Sequence, residues 1–271
     1  MSVQTTGSRL NLPALNKMKQ QKQPIVALTA YDYSYARILD QAGVDIILVG
    51  DSLGMVIQGH QTTIPVSMED MLYHTSIVSK GVENALLIMD MPFMSYASVE
   101  RALDNATQAL QHAGAQMVKL EGGLDQLPIV EALCRHEIPV CAHIGLKPQS
   151  IYKAGNYKVQ GRSIQAAEKM IEEAAALEKA GADILLLECV PKILAAEITA
   201  NTDIPVIGIG AGNACDGQIL VLHDLLGITP GKPPRFAKNF MQESPDIQTA
   251  IRTYADDVRS RKFPAQEHSF S

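Results

Sequence analysis

Tryptophan is absent from the 271 residues, and aromatic residues make up only 5% of them. That scarcity argues against the stacking platforms on which proteins commonly seat bases or sugars. Cysteine is sparse as well. Cys134, Cys141, Cys189 and Cys215 lie far apart and form no C-x-x-C pair, so neither a zinc ribbon nor a redox dithiol is spelled out. Four scattered thiols read as reduced and mostly buried, which suits a cytoplasmic setting. No stretch approaches the ~20 apolar residues of a membrane span. The opening MSVQTTGSRLNLPALNKMKQQKQP lacks the apolar core of a secretory signal. No dense basic run occurs, and the formal charge of −6 argues against a nucleic-acid footprint. Apolar residues, by contrast, are plentiful: a hydrophobic content of 46% is ample for a sizeable core.

Short β-branched runs recur at Ile25–Ala30, Asp45–Gly50, Ala85–Asp90, Gln116–Glu121, Ile138–His143, Asp183–Glu188, Ile204–Ile209 and Gln218–Leu222. Helical periodicity separates them, as in Ser163–Lys179 with Ala166, Met170, Ala174 and Leu177 on one face. Strand–helix alternation predicts a parallel sheet, and eight units in a chain of this length favour a closed (βα)8 TIM barrel. The segments QAGVDIILVGD (41–51), HAGAQMVKLEG (112–122) and KAGADILLLEC (179–189) repeat one joint. A helix ends, Gly43, Gly114 or Gly181 takes a left-handed C′ position, and a buried strand follows. Wide spacing between positions 51 and 90 and between 143 and 188 predicts long loops after the second and fifth strands, where barrels build lids and substrate contacts. The expected organisation is one barrel domain over 1–271, with an N-terminal extension (about 1–23) and a polar C-terminal tail (about 231–271) packed outside the barrel.

Charge sits where a buried strand should have none. In MVKLE (117–121), Val118 and Leu120 share one face, while Met117, Lys119 and Glu121 share the other. The apolar pair suits the helices outside, so Lys119 and Glu121 are expected to point into the barrel, Glu121 at the C-terminal mouth. Glu188 follows Gly181 as Glu121 follows Gly114, which predicts equal heights on strands six and four. Asp90 ends ALLIMD at the same mouth. Asp51 ends DIILVGD one position out of phase, and Gly50 permits either a turn or a bulge there. A single acid at a strand end is ordinarily solvated or paired. Four acids around an inward lysine repel one another, and a hard divalent cation relieves them; oxygen ligands favour Mg²⁺ over Zn²⁺. Mg²⁺, an inward lysine and a spare carboxylate suit enolate chemistry on a 2-oxo acid, with the metal withdrawing electrons and the carboxylate taking the proton.

The stretches ALTAYDYSYA (27–36), ILVGDSLGMVIQGH (47–60), DMPFMSY (90–96), VKLEGG (118–123), AHIGLKPQS (142–150), YKVQGR (157–162), LLLECVP (185–191) and IGIGAG (207–212) together closely resemble the ketopantoate hydroxymethyltransferase family. They span roughly residues 20–230. The resemblance implies a barrel of the phosphoenolpyruvate/pyruvate-like superfamily, usually assembled as a homodecamer. It implies transfer of a hydroxymethyl group from 5,10-methylenetetrahydrofolate to 3-methyl-2-oxobutanoate, giving 2-dehydropantoate in pantothenate and coenzyme A biosynthesis. Residue by residue, it makes Asp51 and Asp90 ligands of one Mg²⁺ per subunit, with Glu121 completing the metal site directly or through water. It places Asp51, Ser52, Asp90 and Lys119 against the oxo acid, makes Glu188 the proton acceptor, and sets Tyr31 and His143 in the pocket. It assigns no residue to folate. Asn156 and Lys147 depart from the family pattern, which usually has a second glycine and a threonine there; both fall in the strand-five loop.

The remaining candidates have plainer readings. His60, His74 and His223 lack metal-pair spacing and read as surface or core residues. Cys189, beside Glu188, is expected to face away from the mouth rather than act as a nucleophile. IGIGAG suits either phosphate binding or tight packing, and without a following Gly-Lys-Ser/Thr it is no P-loop. The rival function is another Mg²⁺-dependent enolate-forming lyase or mutase on the same barrel. A scaffold that has lost activity would be expected to have a broken acidic mouth, and this one is complete.

Overall fold

The eight apolar runs form eight strands in a computed structural model that describes residues 9–271. Residues 1–8, the start of the expected N-terminal extension, lie outside the described residues. The strands are β1 (Ile25–Thr29), β2 (Ile46–Val49), β3 (Leu86–Asp90), β4 (Met117–Glu121), β5 (Val140–Gly145), β6 (Ile184–Glu188), β7 (Val206–Ile209) and β8 (Gly217–Leu220). All pair in parallel with their sequence neighbours, and β8 closes on β1. The fifth strand is displaced by two residues from its sequence expectation. Pro139 has no N–H to donate, so the ladder starts at Val140 and runs on to Gly145.

The repeated helix-to-strand joint acquires a physical role. Gly43, Gly114 and Gly181 have φ of +78°, +80° and +104°, a backbone region where a side chain is strained. Two residues later, the side chain at the start of each strand accepts the backbone N–H of the strand before it. Asp45 accepts from Val26 N at 2.8 Å, Gln116 from Leu87 N at 3.2 Å and Asp183 from Val140 N at 2.9 Å. Asp216 does the same for Val206 N at 2.9 Å and pairs with Lys19 at 2.7 Å, tying down the helix Leu12–Gln20. The amide groups at the N-terminal rim, which would otherwise be unpaired, are thereby satisfied.

The tail carries one apolar stripe among its polar residues. The helix Ile247–Arg259 buries Ala250, Ile251, Tyr254, Ala255 and Val258, and the Tyr254 hydroxyl lies 3.0 Å from the carbonyl oxygens of both Ala27 and Gln218. Phe240 and Phe263 pack edge-on to Tyr254. Inside the barrel, Ala27, Ile46, Ile88, Ile184, Ile207 and Ile219 surround a void of only about 10 Å³, with Lys119 and Cys141 among its walls. This apolar plug is the floor on which the mouth is built. Among the described residues no helix is long and apolar enough to cross a membrane.

Candidate active site

Alternation along β4 sends Lys119 inward, and Glu121, two residues on, shares that direction. Asp90 is the register partner of Lys119 on the neighbouring strand, and the two form a buried ion pair, Lys119 Nζ donating to Asp90 Oδ1. Glu121 pairs in register with His143, and His143 with Leu186, two residues before Glu188. A barrel of shear eight climbs about one residue per strand, so Glu188 stands at the height of Glu121, as the repeat predicts. Asp51 is out of phase because the chain turns and does not bulge. β2 ends at Val49, and Leu53 N and Gly54 N then bond back to the carbonyls of Gly50 and Asp51 at 3.1 and 3.0 Å. The turn brings Asp51 N within 3.1 Å of Asp90 Oδ2. Gly50 is required by closeness: a Cβ there would lie 2.8 Å from Ser52 Oγ and 3.4 Å from Asp90 Oδ2.

Ser52 follows on the same turn, with its hydroxyl 2.9 Å from that of Tyr31, whose ring lies against His223. His143 sits at the back of the mouth, almost wholly buried. Its Nδ1 is 3.6 Å from Glu121 Oε1 and its Nε2 is 3.4 Å from Glu188 Oε2, and neither nitrogen completes a hydrogen bond. Two residues not singled out from sequence stand at the centre of the cluster. Gln149, from the turn Pro148–Ser150 after β5, donates from Nε2 to Asp51 Oδ2 at 2.9 Å and from its backbone N to Glu121 Oε2 at 3.1 Å. Tyr96 donates to Gln149 Oε1 at 2.6 Å. Both lie inside motifs that carried the family resemblance, yet neither type of side chain advertises chemistry.

Burial and mutual repulsion dominate the electrostatics. The Asp51 carboxyl is pushed up to about 7, first by desolvation and then by Asp90. Glu188 is pushed up to about 8, chiefly by desolvation. Glu121 is held well above the usual carboxylate range by burial and by Asp51. Burial alone would depress the Lys119 ammonium, but Asp90, Glu121 and Asp51 outweigh it and keep the lysine charged. His143 is driven well below its ordinary value by desolvation, then by Lys119 and Lys147. The mouth is thus short of positive charge, and protons make up the deficit.

A divalent cation fits this deficit. Among the described residues no three His, Cys, Asp or Glu side chains are gathered into a closed cage. Mg²⁺ needs none, because it commonly takes one or two carboxylates and fills its octahedron with waters and substrate oxygens. Asp51 and Asp90 adjoin at the mouth, the Asp51 backbone N–H donating to Asp90 Oδ2, while Glu121 has one oxygen on Gln149 N and the other, Oε1, buried without a partner. The other histidines have the plain roles expected of them: His60 is exposed, and His74 Nδ1 lies 2.7 Å from the Tyr31 carbonyl. Cys189 lies just past β6 with φ of +50°. Burial, then Glu188, pushes its thiol up, so no reactive thiolate forms. Its carbonyl accepts Gln160 N at 2.9 Å, pinning the strand-five loop beside Glu188. In IGIGAG, a Cβ on Gly208 would lie 2.9 Å from Cys215 Sγ and one on Gly210 3.0 Å from Phe236 and Phe270, which favours the packing role.

The family model described as ketopantoate hydroxymethyltransferase matches residues 9–266. A relative from Alkalilimnicola ehrlichii, a 3-methyl-2-oxobutanoate hydroxymethyltransferase, is 57% identical over 94% of this chain and 92% of its own. Among solved structures, a phosphonopyruvate hydrolase in complex with oxalate and Mg²⁺ superposes with a TM-score of 0.61 at 16% identity, covering 94% of this chain and 98% of that one. A 2,3-dimethylmalate lyase of the PEP mutase/isocitrate lyase superfamily superposes with a TM-score of 0.55 at 16% identity, over 80% and 81% of the two chains. At such identities these two structures speak for the barrel alone.

Proposed function

The chain belongs to the ketopantoate hydroxymethyltransferase family, and on that footing we propose that its mouth moves a one-carbon unit from 5,10-methylenetetrahydrofolate to 3-methyl-2-oxobutanoate, yielding 2-dehydropantoate for pantothenate biosynthesis. The observation that carries this reading is the buried group of Asp51, Asp90 and Lys119, with Glu188 at the same mouth 3.4 Å from His143 Nε2. Asp51 and Asp90 would hold Mg²⁺, with Glu121 completing the metal site directly or through water. When bound, the ion supplies a Lewis-acid charge for the ketone and carboxylate oxygens of a 2-oxo acid.

The protein's own groups do the rest. Lys119, kept charged by its acidic neighbours, steadies the substrate carboxylate and the negative charge that develops on its ketone oxygen. Ser52, on the turn beside Asp51, orients the oxo acid. Glu188 takes the C3 proton, a task suited to a carboxylate whose affinity for protons burial has raised to near neutrality. The substrate enolate then attacks the methylene carbon delivered by folate, water supplies the hydroxyl oxygen, and tetrahydrofolate leaves. The strand-five loop reaches the mouth through Gln149, which meets Asp51 and Glu121. A homodecamer and a cytoplasmic setting belong to the same reading, the latter supported by four free cysteines.

The test is direct. Purified protein given 3-methyl-2-oxobutanoate and methylenetetrahydrofolate should form 2-dehydropantoate when Mg²⁺ is present and stop when it is chelated. No turnover with this pair would reject the proposal. The lyase or mutase alternative rests on shared fold alone, and no feature of the site favours it over the family reaction.

A further inference from the structure

We propose that Gln149 is the positioning residue that sets Asp51 in its metal-binding orientation and ties that orientation to the seating of the strand-five loop. The inference rests on Asp51 being a Mg²⁺ ligand, as read above. Gln149 is 7% exposed, and its side-chain amide is committed on both sides. Nε2 donates to Asp51 Oδ2 and to the Met91 carbonyl oxygen, both at 2.9 Å, while Oε1 accepts the Tyr96 hydroxyl at 2.6 Å. Rotating the amide by 180° would set its oxygen against a carboxylate and a carbonyl oxygen, so the partners admit only one orientation. The backbone N of the same residue holds Glu121 Oε2 at 3.1 Å.

One residue therefore grips acids from the ends of two strands, and it belongs to neither. It belongs to the loop that follows β5, where Ser150 N bonds back to the Lys147 carbonyl at 2.9 Å and Gln160 N is pinned to the Cys189 carbonyl. When the turn Pro148–Ser150 is seated, Asp51 Oδ2 is fixed by the Gln149 amide. When it is unseated, Asp51 loses a donor and Glu121 loses another at the same moment. The Tyr96 hydroxyl fills the Oε1 acceptor at 2.6 Å and leaves Nε2 facing the carboxylate, with longer contacts of 3.3 Å to the Glu121 backbone. Partners that orient a metal-binding carboxylate typically contribute 10–100-fold to affinity.

The experiment is a titration with Mg²⁺ alone by calorimetry on the wild-type protein, D51N, Q149M, Y96F and Q149M/Y96F, each first checked for its melting temperature. Methionine keeps the length of glutamine and removes the amide. We expect Q149M to weaken Mg²⁺ roughly 10–100-fold, Y96F to weaken it less, and the double variant to match Q149M. In steady state, Q149M should raise the KM for 3-methyl-2-oxobutanoate more than it lowers kcat. Q149M binding Mg²⁺ like wild type, while D51N does not, would overturn the inference and leave the metal assignment standing. D51N binding like wild type would overturn both. Should Q149M fail to fold, Y96F decides alone: unchanged Mg²⁺ affinity in that variant is the overturning result.

Discussion

Lys119 and Asp90 face each other as register partners on β4 and β3, joined by an ion pair that solvent hardly reaches. Removing one partner of such a pair leaves the other buried and uncompensated, at about 3–5 kcal/mol. Lys119→Ala should therefore lower the melting temperature, and by more at pH 8 than at pH 6, where Asp51, pushed up to about 7, is largely protonated and adds less repulsion. Turnover should fall at least 100-fold. Thermal melts at the two pH values and a steady-state assay check both expectations; equal melting losses at the two would show that the pair is not the source.

Glu188→Gln keeps the shape of the mouth and removes the base. Exchange of the C3 proton of 3-methyl-2-oxobutanoate in D2O, followed by proton NMR without folate, should slow by about 10²–10⁴-fold. Exchange at the wild-type rate would move the role of base to another residue.

Stability of the metal-free protein should decline as pH rises from 6.5 to 8.5. In the unfolded chain both carboxyls are already ionised in this window. In the folded chain Asp51, at about 7, and Glu188, at about 8, are still giving up protons. The folded state binds more protons, so its advantage shrinks with rising pH. Buried His143 acts in the opposite sense, but only at lower pH, because its unfolded-state value is near 6.5. The melting temperature in EDTA should drop by a few degrees across the window, and Mg²⁺ should restore more at pH 8.5 than at 6.5. A melting temperature that rises with pH in EDTA would contradict the arrangement.

Gly145 is the register partner of Glu188 and has φ of +97°. A methyl group there would run into the Glu188 carbonyl oxygen and come within 2.9 Å of Val190. Gly145→Ala should destabilise the fold by about 1–3 kcal/mol and reduce proton exchange well beyond what that loss explains, since it shifts the base. Measuring exchange at a temperature where the variant is fully folded separates the two effects.

Much of this architecture could be read from residue order because its causes are local. The Ala-Gly joints, the β-branched runs and the opposed faces of Lys119 and Leu120 each involve only a few consecutive residues. The phase of Asp51 was ambiguous, since Gly50 permits both a turn and a bulge; backbone hydrogen bonds over residues 50–54 resolve it as a turn. Gln149 and Tyr96 are not legible in the sequence for a different reason. Their partners lie 98 and 53 positions away, and neutral amides and phenols are common in loops. The apolar stripe of the tail was hidden in the same way, as it gains meaning only against the outside of β1 and β8.

The plug of isoleucines and alanine beneath Lys119 turns the barrel into a dead-end shaft. With about 10 Å³ free below the lysine, no file of water reaches the acids from underneath. The barrel axis is closed to protons and water, so what reaches the acids comes from the side where Gln149 of the strand-five loop meets Asp51 and Glu121.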